Sequence, residues 1–314
     1  MKSRGAVGII RRGLVRLAVA LPAIWLILTM VFLLVHIVPG DPVQQMLGED
    51  ARAEDLNNLR HTLGLDLPLH TQYANYFAGL VRGNWGRSFH FQMPVFSLVL
   101  QRYPATLQLA LSAMLVCALI AIPAGVAAAA RRGRTADRTI SVLTLLGLSV
   151  PNFALGPVLI LVFSIGFGWL PVSGRGGFTH MILPAATLGA ALAAILTRMV
   201  RSSMIEELSS DYVRTARAKG LSERRVLYRH AFPNALVPII TIIGLQFGTL
   251  LAGTIVTESI FAWPGIGRLT VQAIQARDYP LLQGCILMIA LSYVVVNLLT
   301  DVVYSLVDPR IRVS

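Results

Sequence analysis

Residues 105–130 read ATLQLALSAMLVCALIAIPAGVAAAA, and this stretch decides the fold. It holds no charged side chain over a length that exceeds the roughly 20 apolar residues a membrane-crossing helix needs. In hydrocarbon every backbone polar group must find its partner inside the segment, so such a stretch is a helix. Five further charge-free stretches flank it, at 17–38, 139–174, 176–197, 231–257 and 279–300. The chain of 314 residues is 55% hydrophobic and 13% charged, with a mean hydropathy of +0.67. A water-soluble surface needs far more charge.

The expected fold is therefore an all-α integral membrane protein with six transmembrane helices and both termini cytoplasmic. The spans are set at 17–38, 105–130, 139–168, 181–200, 236–257 and 282–304. A basic amino terminus (1–16) and a carboxyl-terminal tail (305–314) lie inside, with loops at 131–138 and 201–235. External segments occupy 39–104, 169–180 and 258–281. The third stretch contains Pro151 and Pro157 and is read as a kinked helix followed by an outer turn at Trp169-Leu170-Pro171.

The net charge of +12 has a location. With the amino terminus in the cytoplasm, the inside segments hold 19 of the 27 basic residues and seven acids, while the outside segments hold eight of each. The whole excess sits on one face, as the positive-inside rule requires. A nucleic-acid-binding surface is not needed to explain it. Cys117 and Cys285 lie inside apolar stretches with no CxxC pattern and read as packing residues. The apolar run at the amino terminus exceeds a signal-peptide core and lacks a small-x-small cleavage site, so it reads as a retained first helix.

Segment 39–104 reads as a folded periplasmic cap. Leu56, Leu59 and Leu63 have helical spacing and Gly64 suits a helix end. It serves either as a shield over the helix ends or as a landing surface for an external partner. Segment 209–233 is the most informative. Leu208, Tyr212 and Ala216 fall four apart and form the expected packed stripe, while Arg214, Arg217 and Lys219 project elsewhere. Gly220 breaks this helix, Ser222 is placed to cap a second one with Glu223 in its first turn, and Pro233 is expected to close the unit. Such an elbow is either a basic hairpin on anionic lipid or a rigid lever between two spans.

Ion-coupled carriers keep ionisable groups at membrane depth. Here His36, Arg198, Glu258 and Asp301 fall at span ends, where they are expected to reach water or headgroups. Interior polar residues such as Gln108, Gln246, Thr249, Thr254 and Asn297 read first as interhelical hydrogen-bonding groups and second as path lining. A secondary carrier is thus the rival reading. No GxxxxGK[ST] phosphate loop occurs, no catalytic residue is assigned, and the scattered histidines make no metal site.

Arg214-Thr215-Ala216-Arg217-Ala218-Lys219-Gly220, followed after nine residues by His230-Ala231-Phe232-Pro233, resembles the EAA loop of ATP-binding-cassette (ABC) importer permeases. Arg-Thr-Ala stands where that loop has Glu-Ala-Ala, as in the dipeptide, oligopeptide and nickel branch. Other stretches look like the same branch. They are Pro39-Gly40-Asp41-Pro42, Leu63-Gly64-Leu65-Asp66, Pro104-Ala105-Thr106-Leu107, Phe261-Ala262-Trp263-Pro264-Gly265-Ile266-Gly267-Arg268, Arg277-Asp278-Tyr279-Pro280 and Asp308-Pro309-Arg310-Ile311-Arg312.

The resemblance implies a permease core over 100–314 in the bacterial inner membrane. It implies a second homologous permease, two cytoplasmic ABC ATPases and a substrate-binding protein as partners, with surrounding lipid. No cofactor is expected on this chain, ATP and Mg being used by the partner subunits. Tyr212, Arg214, Thr215, Ala216, Arg217, Ala218, Lys219, Gly220 and Pro233 would form the ATPase-coupling site. Glu258, Phe261, Trp263, Pro264 and Gly265 would form an outer gate or binding-protein contact, with a static interfacial anchor as the alternative. The substrates implied are di- and oligopeptides, with nickel chelates, glutathione or opines as alternatives.

Overall fold

A computed structural model describes residues 21–33, 36, 42–48 and 51–307. The expected basic amino terminus, most of the Pro39-Gly40-Asp41-Pro42 stretch and the terminal Asp308–Arg312 motif lie outside the described residues. The helices, numbered in chain order, begin with the apolar α1 (Leu21–Leu33). The cap follows, with α2 (Pro42–Leu47), α3 (Ala53–Thr62) and α4 (Leu69–Val81). Then come α5 (Val95–Ala130), α6 (Thr135–Ser149), α7 (Asn152–Leu159), α8 (Phe178–Leu208), α9 (Asp211–Ala218) and α10 (Glu223–Arg225). The chain ends in α11 (Phe232–Gly253), α12 (Ile255–Ile260), α13 (Ile266–Gln275) and α14 (Tyr279–Val307).

The long helix α5 explains how the bundle is built. Ala105, Leu109, Ala113, Cys117 and Ala121 recur every four residues and are all fully buried, whereas Leu111, Leu115 and Leu119 on the other face are more than half exposed. Apart from Leu109, small residues thus face protein and large ones face outward, the pattern expected where lipid offers no hydrophobic drive for association and close packing must supply it. The main partner of α5 is α8. A Cβ on Gly189 would lie 2.6 Å from the Ala113 carbonyl oxygen, and one on Gly125 would lie 2.6 Å from Val200 Cβ. Glycine at these two points sets how closely the helices approach. Both cysteines are buried and free.

The third apolar stretch is broken rather than merely kinked. Val150 is extended (φ −89°, ψ 115°) because the ring of Pro151 excludes the helical conformation from the residue before it. Helix α6 ends there and α7 restarts at an angle, continuing as a π-helical turn over Ile160–Gly166. Pro157 lies within α7 and does not interrupt it. Beyond the turn, Phe167 and Trp169 stack 4.6 Å apart, an aromatic pair suited to a membrane interface. Helices α11 and α14 pack on one another, and α11 also packs on α8. The helices overrun the apolar stretches that define them: α5 begins at Val95 and α8 extends to Leu208.

In the cap, α3 ends at Thr62 and Gly64 takes φ +68°, so the N–H groups of Gly64 and Leu65 return to His61 and Arg60. The cap is fastened to the far end of the chain by Asp278. Its buried carboxylate accepts hydrogen bonds from the Ser88 hydroxyl and, at 3.0 Å, from the His90 N–H.

Candidate functional site: a glycine elbow and a buried carboxylate

Helix α9 lies at the end of the bundle where α8 stops. Its buried residues are Val213 and Ala216, so the expected stripe through Tyr212 is displaced by one position. Tyr212 projects outward together with Arg214, Thr215, Arg217, Ala218 and Lys219. The reason is the entry of the helix: Ser210 is extended (ψ 155°), which restarts the helical phase after α8. Val213 and Ala216 join the same apolar cluster as Val200 and Met204 of α8 and Val226 and Ala231 beyond the elbow. The elbow is thus seated on the core.

Gly220 makes the turn. Its φ is +75°, a region that only glycine occupies without strain. The Gly220 N–H bonds Arg217 O at 2.9 Å and the Leu221 N–H reaches back to Ala216 O at 3.4 Å, closing the end of α9. Across the turn, Arg217 grips Glu223 through two bonds of 2.7 and 3.2 Å. The carboxylate holds the Arg217 guanidinium above its ordinary pKa.

Ser222 has the extended backbone of a capping residue but its side chain makes no capping bond, contrary to expectation. Glu223 is instead held by Arg217. Pro233 does not close the unit either. It is an exposed residue in the first turn of α11, and helical structure runs on from Glu223 to Leu251. A proline removes one N–H and crowds the preceding turn. The π-helical turn at Val226–Ala231 immediately before it widens the backbone and admits it without a break. The second arm of the elbow is therefore the start of a spanning helix.

A polar network missed by sequence reasoning ties the two arms together. Tyr212 donates to Glu207 at 2.5 Å, and Asn234 donates to the Tyr212 hydroxyl at 2.9 Å and to His230 O at 3.2 Å. Burial, and then the bond to Glu207, push the Tyr212 hydroxyl above its usual pKa. The last turn of α8, α9 and the first turn of α11 are joined at one phenol. No local spacing signals a contact among positions 207, 212 and 234.

At the opposite end of the bundle lies a second elbow, α12 to α13. Glu258 was expected to reach water and instead is fully buried. Its carboxylate accepts bonds from Thr106 at 2.7 Å, Thr254 at 3.1 Å and the Arg268 N–H at 2.9 Å, and from the Gly267 N–H. The Thr106 hydroxyl in turn accepts the Ile266 N–H at 2.8 Å. The carboxylate thus satisfies the free N–H groups that open α13. Gly265 and Gly267 leave room for it, since a Cβ at either position would press on the Glu258 carboxylate. Phe261 and Trp263 are also buried, and Trp263 Nε1 donates to Ala105 O at 2.8 Å. Arg175 lies over the Trp263 ring, 5.7 Å from its centroid. Of the expected outer-gate residues, Pro264 alone is partly exposed.

The interior polar groups are spent on hydrogen bonds of different kinds. Gln246 donates to Leu192 O at 3.2 Å, an interhelical bond, whereas Thr249 bonds within its own helix and Gln108 accepts from Arg175 at 2.8 Å. Among the described residues no group of three His, Cys, Asp or Glu side chains could hold a metal ion.

An all-helical bundle with several helices long and apolar enough to cross a bilayer, and a basic elbow between two of them, is the build of a multi-pass membrane protein. Comparison with known proteins supports that class. Residues 121–313 match the family described as binding-protein-dependent transport system inner membrane component, and residues 9–110 match the N-terminal domain of such components. The chain is 43% identical over 297 residues to the glutathione transport system permease protein GsiC of Escherichia coli K12 and to that of Salmonella typhimurium LT2. Each comparison covers 95% of this chain and 97% of the relative.

Among solved structures, the inward-facing MetNI methionine ABC transporter matches at a TM-score of 0.58 and 17% identity, covering 67% of this chain and 96% of that one. An amino acid ABC transporter matches at 0.50 and 17%, covering 68% and 94%. These two establish likeness of fold. The chain belongs to the binding-protein-dependent transport system inner membrane components. It is a multi-pass inner-membrane permease of an ABC importer, of the peptide and nickel branch.

Proposed function

We propose that this permease pairs with a second, similar permease to line a path for small peptides, with glutathione or a closely related anionic peptide as the substrate. Two cytoplasmic ATPases would supply ATP hydrolysis, and an external binding protein would deliver the solute. The observation that carries the reading is the mounting of α9. It is seated on the core through Val213 and Ala216, closed by Gly220 and tied to both neighbouring spans through Tyr212, while Arg214 and Lys219 face outward. A lipid-binding hairpin needs no such rigidity, whereas a lever does: movement of α9 by an ATPase would pass directly into α8 and α11. The exposed cations favour an acidic groove on the partner. Glutathione is favoured by the 43% identity to glutathione permeases over nearly the whole chain.

The test is uptake by vesicles holding both permeases, the ATPases and the binding protein. ATP-dependent accumulation of glutathione or of di- and tripeptides supports the reading. Accumulation driven by a proton gradient without ATP, or none of these solutes, refutes it.

A further inference from the structure

Beside the buried Glu258 lies a cavity of about 150 Å3 lined by Arg102, Pro264, Gly265, Arg268, Leu269 and Gln272. Arg102 stands near the start of α5, at the end of the bundle opposite Gly220, and Arg268 and Gln272 stand one turn apart on α13. Residues spaced by four share a helix face, so Arg268 and Gln272 present their polar ends together. Among the described residues neither arginine is in an ion pair. Arg268 spends one N–H on Ala262 O at 2.8 Å. The carboxylate of Glu258 takes the backbone N–H of Arg268 together with the hydroxyls of Thr106 and Thr254. Two partly buried arginines therefore line one polar cavity, with most of their donors unspent.

Two like charges held in this way repel, and the arrangement is relieved by an anion between them. Guanidinium forks match carboxylate oxygens in pairs, and burial strengthens the bonds. We propose that this pocket binds a carboxylate of the transported solute. Its size admits a carboxylate with the carbons next to it and excludes a whole tripeptide, so it takes one end of the molecule. The inference rests on the function proposed above and narrows it, in that the favoured solutes carry a net negative charge and are held by the permease as well as by the binding protein. The shared chemistry would also suit an anionic lipid headgroup, but the cavity has room for one small acid end, which fits the solute.

The experiment uses the complete transporter in vesicles of neutral phosphatidylcholine, with the binding protein saturated. Glutathione uptake is compared among wild type, Arg102→Gln with Arg268→Gln, and Arg102→Lys with Arg268→Lys. In parallel, phenylglyoxal modification of Arg102 and Arg268 is mapped by mass spectrometry with and without glutathione or succinate. Uptake should fall about tenfold or more in the Gln variant, since each charged hydrogen bond outweighs a neutral one, and the Lys variant, which keeps the charge and loses the fork, should recover only part of it. Glutathione and succinate should both protect the two arginines.

Undiminished uptake in the Gln variant, or absence of protection, overturns the inference while leaving the transport reading intact. Protection that appears only when phosphatidylglycerol is added also overturns it, assigning the pocket to lipid. Wild-type protein that imports neither glutathione nor di- and tripeptides, yet is protected by glutathione, keeps the carboxylate pocket and sinks the transport reading. Should the double Gln variant fail to assemble, the single Arg102→Gln variant and the protection assay decide.

Discussion

Arg201 holds Asp137 by two bonds, Nε to Oδ1 at 2.6 Å and Nη2 to Oδ2 at 2.9 Å, and so fastens the first turn of α6 to the last third of α8. The Asp137 side chain is 7% exposed and that of Arg201 33%. The Gly133 N–H adds a third bond to the carboxylate at 2.9 Å. This contact anchors the broken third apolar stretch at the same end of the bundle as α9.

Replacing Arg201 with Ala leaves the Asp137 carboxylate buried with one backbone donor. Loss of one member of a fully buried pair costs about 3–5 kcal/mol, and the partial exposure of Arg201 lowers this to roughly 2 kcal/mol. The expected outcome is a fall of several degrees in Tm of the detergent-purified permease, read by thermal unfolding. The double variant Asp137→Asn with Arg201→Gln should recover at least half of the loss. Equal Tm for wild type and Arg201→Ala would show that the pair contributes nothing.

The contact between α5 and α8 gives a second expectation with its own control. At Gly189 an added methyl meets the Ala113 carbonyl oxygen at 2.6 Å, and backbone cannot step aside as a side chain can. At Gly147 the same methyl meets Ala194 Cβ at 3.6 Å, an ordinary contact. Gly189→Ala should therefore destabilise by about 1–3 kcal/mol, the usual cost of overpacking. Gly147→Ala should leave Tm unchanged or raise it, since Ala is worth up to about 1 kcal/mol over Gly in a helix.

How far these features could be read from the chain depends on the distance over which their causes act. The apolar helices, the glycine turn at Gly220 and the interruption at Pro151 are local, because a charge-free run, a left-handed residue and a proline each act on their own neighbours. The small residues of α5 and α8 permit close packing, but nothing local to either helix pairs the two. Pro233 was misread because the rule that proline ends a helix takes no account of the π-helical turn at Val226–Ala231 that accommodates it. Glu258 was misread for a different reason: Thr106, which holds it, lies 152 positions away, so the carboxylate beside a span end looked free. The pair Gly265 and Gly267 was the available signal, since two glycines flanking one residue leave space for a side chain from elsewhere. The links from Glu207 through Tyr212 to Asn234 and from Asp137 to Arg201 left no comparable mark.

Glu258 should be intolerant of truncation. Glu258→Ala strands the donors of Thr106, Thr254 and the first turn of α13, each buried group left unpaired costing about 1–3 kcal/mol. Glu258→Gln keeps the volume and one acceptor but turns an amide N–H2 toward other donors, so its loss should be smaller and still measurable. The order expected in thermal unfolding is wild type, then Gln, then Ala. A Gln variant as stable as wild type would mean that the carboxylate charge has no role in holding α13.

Arg214 separates docking from folding. Its side chain is 74% exposed, and its ion pair with Asp211 spans 3.3 Å to a carboxylate that is 95% exposed. A pair of this kind is worth about 0–1 kcal/mol, so Arg214→Glu should leave Tm within about a degree of wild type. Val213, the next residue toward the core, is fully buried, and Val213→Ala should cost about 2 kcal/mol through lost packing. If α9 docks on an acidic groove, the two variants must differ in the opposite sense when the ATPases are present. Arg214→Glu should reduce ATPase co-purification, or uncouple substrate-stimulated hydrolysis from uptake, by about tenfold or more, because it places like charges in contact. Val213→Ala should retain assembly in proportion to its folded fraction. Unchanged co-purification and unchanged stimulated hydrolysis in Arg214→Glu would remove the docking role from this face of α9. A Tm loss in Arg214→Glu as large as that of Val213→Ala would assign the residue to the fold instead.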